Sequence, residues 1–292
     1  MRNLSSRPAG ASDAEAILAV GVARDIVDLG APDWTLEDVR GELAEADHAW
    51  VVEGEDGAVV AAALLTSGDA RVMVHPEACG NGIGTRLREL AEEAAAPGTV
   101  LRQVVSGSND AARALLVAAG YEPTQHYWRM SVALEGALPA PAWPPGISPR
   151  GYAPVHEIAI HSVVEEAFAE IPGNVPDGFD EWRANSVGRA HFAPDLSTLA
   201  FTADGSLAGV ALCERWREEG DGFVAYLATA RTARGRGLGR ALLVDGLAKM
   251  RAAGLVRAGL SVNGSNRSAT ALYESVGMSV ESHADRYDKR LP

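Results

Sequence analysis

The chain has 292 residues, of which 22% are charged, and a formal net charge of −13. This length exceeds what one hydrophobic core usually fills, so we expect two domains. The acidic balance disfavours nucleic acid as a partner, and no apolar run is long enough to span a membrane. The start does not read as a secretory signal, and two cysteines, Cys79 and Cys213, are too few for a disulfide framework. We therefore expect a cytoplasmic protein.

The two halves of the chain share one order of motifs. A glycine-rich loop and helix at 71–94, followed by 108–121, recur at 225–250 and 264–278. A proline-rich stretch between the two copies has the composition of a semi-rigid connector. The sequence thus predicts an N-terminal domain at 1–137, a linker at 138–149 and a C-terminal domain at 150–292.

Apolar periodicity in the second copy predicts alternating helices and strands. Helices are predicted at 155–170 and 179–189, followed by an antiparallel meander of three strands at 197–203, 207–214 and 223–229. A helix at 238–253, a strand at 256–262, a helix at 267–276 and a final strand complete the copy. The predicted fold class is therefore mixed α/β (α+β).

The third meander strand leads into a loop rich in glycine and arginine at the start of a helix. Glycine leaves backbone N–H groups uncovered there, which suits a pyrophosphate, and arginine adds positive charge. The loop residues are Arg234, Gly235, Arg236, Gly237, Leu238, Gly239 and Arg240. Their G-x-G-x-G spacing fits neither the dinucleotide fingerprint nor a Walker loop. A plain glycine turn with solvated arginines is the alternative, and the presence of a second copy favours phosphate binding.

The R-x-x-G-x-G loop, with a later Asn and Leu-Tyr-Glu-x-x-Gly helix, resembles the GCN5-related N-acetyltransferase (GNAT) superfamily. Arg234, Gly237 and Gly239 fill the first pattern, and Asn266 with residues 272–277 fills the second. The tandem layout is similar to that of the mycothiol synthases, a two-domain group of this superfamily. The resemblance implies two GNAT-like domains, each with a mixed, mostly antiparallel sheet flanked by helices. It also implies acetyl-CoA as cosubstrate.

The resemblance assigns roles to individual residues. Backbone groups of Leu227 and Thr229 would pair with the pantetheine arm like an added strand, and Asn266 would contact the cofactor. Tyr273 matches the general acid that protonates the departing CoA thiolate; its alternative is a core aromatic residue. The matching cofactor positions of the first copy are Val74, Gly80, Gly82 and Gly84.

The general base is the role for which the sequence departs from the relatives. Mycothiol synthases have a glutamate at the start of the third meander strand, where this chain has Phe223. Glu214 on the preceding strand is our candidate, acting directly or through water; an exposed strand-end carboxylate without a catalytic role is the alternative. Its neighbour Cys213 is expected in the core. No Cys/His spacing indicates a metal site.

The first copy is expected to be catalytically silent. Cys79 replaces the loop arginine and Leu116 stands where the second copy has Tyr273, although the glycines keep a loop that can bind phosphate. We therefore predict acetyl transfer to a primary amine of a small polar molecule by the C-terminal domain, in a monomer or homodimer. A protein N-acetyltransferase and a non-catalytic acetyl-CoA sensor or scaffold are the alternatives.

Overall fold

The structure is a computed structural model that describes residues 5–136, 138–171, 176–216 and 220–292. Its helices and strands follow the same order twice. The first copy contains β1 (Ser5–Pro8), α1 (Ala14–Leu29), α2 (Leu36–Glu45), β2 (His48–Glu53), β3 (Val59–Thr66), β4 (Asp69–Val74), α3 (Ile83–Ala94), β5 (Val100–Ser106), α4 (Asp110–Ala118) and β6 (Glu122–Ala133). The second copy contains β7 (Ser148–Gly151), α5 (Glu157–Phe168), α6 (Phe179–Asn185), β8 (Thr198–Phe201), β9 (Leu207–Trp216), β10 (Asp221–Thr229), α7 (Leu238–Ala252), β11 (Arg257–Asn263), α8 (Arg267–Glu274) and β12 (Ser279–Arg290).

The predicted elements of the second copy are confirmed, with shifts at their ends. α5 begins two residues later than predicted, after a 3-10 turn at Pro154–His156. α6 ends at Asn185 because the chain turns back on itself, and the N–H of Gly188 donates to the carbonyl of Arg183 at 2.8 Å. Among the described residues, no helix combines the length and the apolar composition that crossing a membrane requires.

The chain divides into two compact units, one formed by 1–128 and 282–292 and the other by 129–281. Most of β12 therefore belongs to the first unit, where it pairs antiparallel with β5 from Ala284–Ser106 to Arg290–Val100. The predicted boundary at 138–149 separates the two sequence copies and stays a prediction. Residues 1–4 and 137 of the predicted first domain lie outside the described residues.

Each unit contains a mixed sheet with helices on it, as predicted. In the first unit, β1 to β4 are antiparallel neighbours, β4 is parallel to β5, and β12 follows β5. In the second unit, β7 to β10 are antiparallel neighbours, which confirms the meander, and β10 is parallel to β11. One apolar cluster joins the sheet to α5 and α6, and another joins it to α7. Successive residues of β10 therefore contribute to different layers.

The first unit has partly buried charged residues where the second copy has leucines. Glu92 of α3 accepts hydrogen bonds from Arg88 at 2.7 Å and from Lys289 of β12 at 3.0 Å. Burial opposes the charged form of Glu92, but these two cations outweigh it and lower the pKa of the carboxyl. The positions that match Arg88 and Glu92 are Leu243 and Leu247, both fully buried. Lys289 and Glu92 thus join the last strand to the first unit by charge.

We expect Glu92→Leu to lower the free energy of unfolding by about 1–2 kcal/mol, because Lys289 would lose its carboxylate partner and Arg88 would keep only Glu89, at 3.3 Å, in a partly buried place. The triple variant Arg88→Leu, Glu92→Leu and Lys289→Val replaces all three charges by apolar residues, two of them the leucines of the second copy, and should recover most of that loss. Urea denaturation followed by circular dichroism measures both changes. A triple variant as unstable as the single one would contradict this role of the ion pairs.

Candidate active site

Two parallel strands of the second unit part next to the glycine loop. The register between β10 and β11 joins three residue pairs, of which the last is Phe223 with Gly259. β10 then continues beside β9 as far as Thr229, with a bulge between Val224 and Tyr226. Beyond Phe223, the described structure gives β10 no partner residue on β11, so the β11 side of this stretch suits an added extended chain. The predicted pantetheine contacts, Leu227 and Thr229, belong to this stretch.

The loop after β10 ends in a helix start whose backbone amides have no acceptor among the residues that the structure describes. A 3-10 turn at Arg231–Ala233 leads to Gly235 and to Gly237, the residue that precedes α7, with φ angles of 73° and 84°. Glycine adopts such left-handed angles at little cost. Within the described part of the chain, no side chain caps α7 and no N–H of residues 235–240 has an acceptor. Unpaired amides at the positive end of a helix are the arrangement that binds phosphate.

Packing at Gly239 brings α8 to this loop. The Cβ position of Gly239 lies 3.5 Å from Leu272 and 3.9 Å from Thr229. The start of α7 is thus in contact range of α8 and of the last residue of β10. A predicted acid on α8 and a predicted phosphate loop therefore belong to one region of the second unit.

The loop arginines differ in their partners. Arg234 donates from Nε to the carbonyl of Thr229 at 3.2 Å and from Nη1 to Glu170 at 2.6 Å. Arg236 and Arg240 have no partner among the described residues, and Arg236 is exposed. Two of the three predicted arginines are thus available to an anion, while Arg234 is already oriented. The sequence analysis did not single out Glu170, although the predicted helix ended at that residue.

Tyr273 of α8 is only 8% exposed, and burial raises the pKa of its hydroxyl to about 12. No hydrogen bond joins that hydroxyl to another described residue, and burial alone causes the shift. A phenol with such a pKa stays protonated at neutral pH, as a general acid must. The acid role of Tyr273 stays a prediction, to which the structure adds a hydroxyl with no partner in the described chain.

Asn266 has an observed structural role. Its side-chain oxygen accepts from the N–H of Ala269 at 3.1 Å and from the hydroxyl of Ser268 at 3.0 Å, which caps the first turn of α8. Asn109 caps α4 in the same way, through the N–H of Ala112 at 3.1 Å. The predicted contact between Asn266 and the cofactor therefore has only the side-chain NH₂ group left to make it.

Glu214 is buried, and the alternative of an exposed strand-end carboxylate is wrong. It is 7% exposed, and β9 continues beyond it to Trp216. Its direct partner on β10 is Phe223, the position at which the resemblance implies a glutamate. Directly paired residues project to the same face of a sheet, so this carboxylate stands one strand away from the expected position. Cys213 is fully buried, as predicted, and burial raises the pKa of its thiol to about 12.

Tyr226 is a candidate site residue that the sequence analysis missed. It pairs with Leu212 and packs against the cluster formed with α5 and α6. Burial raises the pKa of its hydroxyl, and the carboxylates of Asp177 and Glu214 raise it further. Strand alternation would put Phe223 and Tyr226 on opposite faces, but the bulge in β10 returns them to the same face. The sequence carries no signal for that bulge.

The first copy keeps the loop and lacks the acid. Gly80 and Gly82 have φ angles of 78° and 77°, and no described side chain caps α3. The Cβ position of Gly84 lies 3.5 Å from Leu115 and 3.7 Å from Val74, which repeats the packing of the second loop. Leu116 follows at the position of Tyr273 and is 2% exposed. Within the described residues, the glycine-turn backbone at the helix start is thus present in both copies, whereas a phenol at this helix position occurs in the second copy alone.

The sequence matches the model of the acetyltransferase (GNAT) family at residues 24–121 and again at 160–278, which together exceed half of the chain. A mycothiol acetyltransferase of Thermobispora bispora is 31% identical over 281 residues, which cover 91% of this chain and 92% of that one. A mycothiol acetyltransferase of Kineococcus radiotolerans is 33% identical over 279 residues, with 91% and 89% covered.

Solved structures are similar over the whole described chain. A GCN5-related N-acetyltransferase from Sphaerobacter thermophilus has a TM-score of 0.80 at 29% identity and covers 99% of this chain and 96% of that one. A tandem GNAT protein from the clavulanic acid biosynthesis pathway has a TM-score of 0.77 at 21% identity, which shows a shared fold. The chain therefore belongs to the acetyltransferase (GNAT) family, as a tandem acyl-CoA-dependent N-acetyltransferase.

Proposed function

We propose that the second copy transfers an acetyl group from acetyl-CoA to a primary amine of a small polar molecule. The observation that carries this proposal is the run of backbone amides at residues 235–240, which have no acceptor in the described part of the chain, next to the point at which β10 and β11 part. The relatives named mycothiol acetyltransferase, at about 30% identity, favour a small-molecule acceptor over a protein.

The residues of the loop fit the diphosphate of CoA. A Cβ at Gly235 or Gly237 would meet no protein atom within 4 Å, so space adjoins both glycines. The unpaired amides would donate to phosphate oxygens, with Arg236 and Arg240 adding charge. When bound, acetyl-CoA supplies a thioester that an amine can attack directly. The N–H groups of β10 near Leu227 are our candidates to stabilise the oxyanion that forms.

Tyr273 and Glu214 are the candidate acid and base. The hydroxyl of Tyr273 keeps its proton at neutral pH and can give it to the departing thiolate. Glu214 lies on the same face as Tyr226 and Phe223, toward α5 and α6, where a carboxylate can take a proton from the amine directly or through water. Phe223 replaces the glutamate of the mycothiol synthases. We therefore propose that this altered face of the sheet determines which amine the protein accepts.

The first copy is proposed to be silent in catalysis and to retain a phosphate-binding loop. Leu116 has no proton to give, and Cys79 removes the charge that Arg234 supplies in the second copy. Gly80 and Gly82 still hold the loop in the conformation of its counterpart. This copy would therefore bind CoA more weakly than the second one.

We expect Gly237→Ala to raise the Kd for CoA about tenfold, because a methyl group would stand between the loop amides and the diphosphate. Calorimetric titration with CoA measures the change. Gly254→Ala is the matched control, since Gly254 at the other end of α7 has a φ of 83° and an equally open Cβ position. Equal Kd values for the two variants, or no binding of CoA to the unmodified protein, would refute the site.

Tyr273→Phe should lower kcat for thiol release by about 10²–10³-fold while the Kd for CoA stays unchanged, because only the proton donor is removed. The rate of free-thiol release from acetyl-CoA with a panel of small amines measures this. Little stability should be lost, since the hydroxyl bonds to no other described residue. A variant that keeps most of its turnover would show that the acid lies elsewhere or that the first copy reacts.

Glu214→Gln should lower kcat/KM for the amine at neutral pH by about 10²-fold, because an amide cannot accept the proton. The loss should be greatest at pH values at which the carboxylate of the unmodified protein is ionised, and it should shrink on the acid side of the pH–rate profile, where a protonated Glu214 cannot accept a proton either. Glu181→Gln, an exposed change on α6, serves as the control. An unchanged profile in Glu214→Gln would remove this residue from the mechanism.

A further inference from the structure

We propose that Glu170 is a positioning residue for the diphosphate loop, which it serves by holding Arg231 and Arg234 in place. This inference rests on the proposed function of that loop. It concerns a carboxylate that belongs to the α5 side of the second unit and not to the loop itself. Glu170 would thereby link the helix that packs under Tyr226 to the residues that bind the cosubstrate.

The contacts fix Arg234 at two points. Glu170 lies two residues beyond the end of α5, and its Oε2 accepts from Nη1 of Arg234 at 2.6 Å. Nε of Arg234 donates to the carbonyl of Thr229, the last residue of β10, at 3.2 Å. Within the described residues, Nη2 of Arg234 has no acceptor. A guanidinium held on two sides loses less conformational freedom when it takes an anion on its remaining N–H groups.

The second contact fixes the turn that leads into the loop. Oε1 of Glu170 accepts from Nη2 of Arg231 at 2.9 Å, so one carboxylate bridges the first residue of the 3-10 turn and the residue directly after it. At the position of Arg231 the first copy has Pro76, whose ring restricts the backbone of the turn. Where the second copy lacks that proline, the bridge through Glu170 takes over the restraint.

The charges favour a role in binding over one in stability. Glu170 and Arg231 are 46% and 67% exposed, and salt bridges at such places add little to folding. Arg234, and then Arg231, lower the pKa of Glu170, which is therefore charged at neutral pH. Two guanidinium groups share this one carboxylate, so the bridge keeps a net positive charge. Repulsion between Glu170 and a diphosphate is screened by solvent at this surface, so the loss of orientation should dominate when the bridge is removed.

The test compares Glu170→Gln with Glu166→Gln, an exposed change of the same kind on α5 at a residue that pairs with no described residue. We expect Glu170→Gln to raise the Kd for CoA and the KM for acetyl-CoA about fivefold, with kcat within twofold. Turnover with S-acetyl-pantetheine, a donor without a diphosphate, should not change. In an Arg234→Ala background, Glu170→Gln should add less than half of its effect in the unmodified protein.

Glu166→Gln should match the unmodified protein in every measurement. Equal constants for Glu166→Gln and Glu170→Gln would overturn the inference, and so would tighter CoA binding by Glu170→Gln or an equal loss with S-acetyl-pantetheine. Failure of the proposed function looks different, since the unmodified protein would then not bind CoA. The two outcomes are therefore separable in one series of titrations.

Discussion

The candidate active site of the second unit depends on the separation of two parallel strands. β10 and β11 hold together through Phe223 and Gly259, and β10 then runs on beside β9 alone in the described register. A short turn leads from this strand to a helix start whose amides have no acceptor among the described residues, so the proposed ligand arm and phosphate would be bound by neighbouring backbone segments. The side chains around this frame decide the chemistry. The bulge in β10 places Tyr226 and Phe223 on one face, together with Glu214.

The two copies share backbone features of this frame but differ in the side chains that could take part in a reaction. Glycines with left-handed angles and the contact between the α7 or α3 start and the following helix occur in both. The phenol, the loop arginine and the bridge to Glu170 occur in the second copy alone among the described residues. At two positions of the helix that follows the loop, by contrast, it is the first unit that carries charged groups. Arg88 and Glu92 stand there where the second unit has leucines. Both copies thus have the same fold, but they differ in the side chains at the loop and in those of the helix that follows it.

Local patterns in the sequence predict much of this arrangement. The strands of the second copy follow from apolar runs between turns, and the glycine loop follows from its spacing on a strand-to-helix turn. Family resemblance leads from that loop to Tyr273. The strands and the loop depend on residues that are close in sequence, so the sequence predicts them directly, whereas the acid role of Tyr273 stays a prediction.

The features that sequence analysis misses depend on contacts between distant residues. Period-two alternation does not say which strand lies beside which, so it gives no indication that β12 pairs with β5 of the first copy. The burial of Glu214 depends on β9 continuing past it and on Phe223 opposite. Glu170 and Arg234 are far apart in sequence, and their ion pair becomes visible only when α5 is placed on the sheet.

The position of β12 also affects the order in which the protein can form during translation. A ribosome releases the chain from its N-terminus, yet the first unit needs residues 282–290 to cover the edge of β5. All residues of the second unit are made before that segment is complete. Until residues 282–290 have been made, β5 of the first unit lacks its β12 partner. An unpaired strand edge of this kind is a surface that other chains can join. The half translated later has every residue it needs before the first half does.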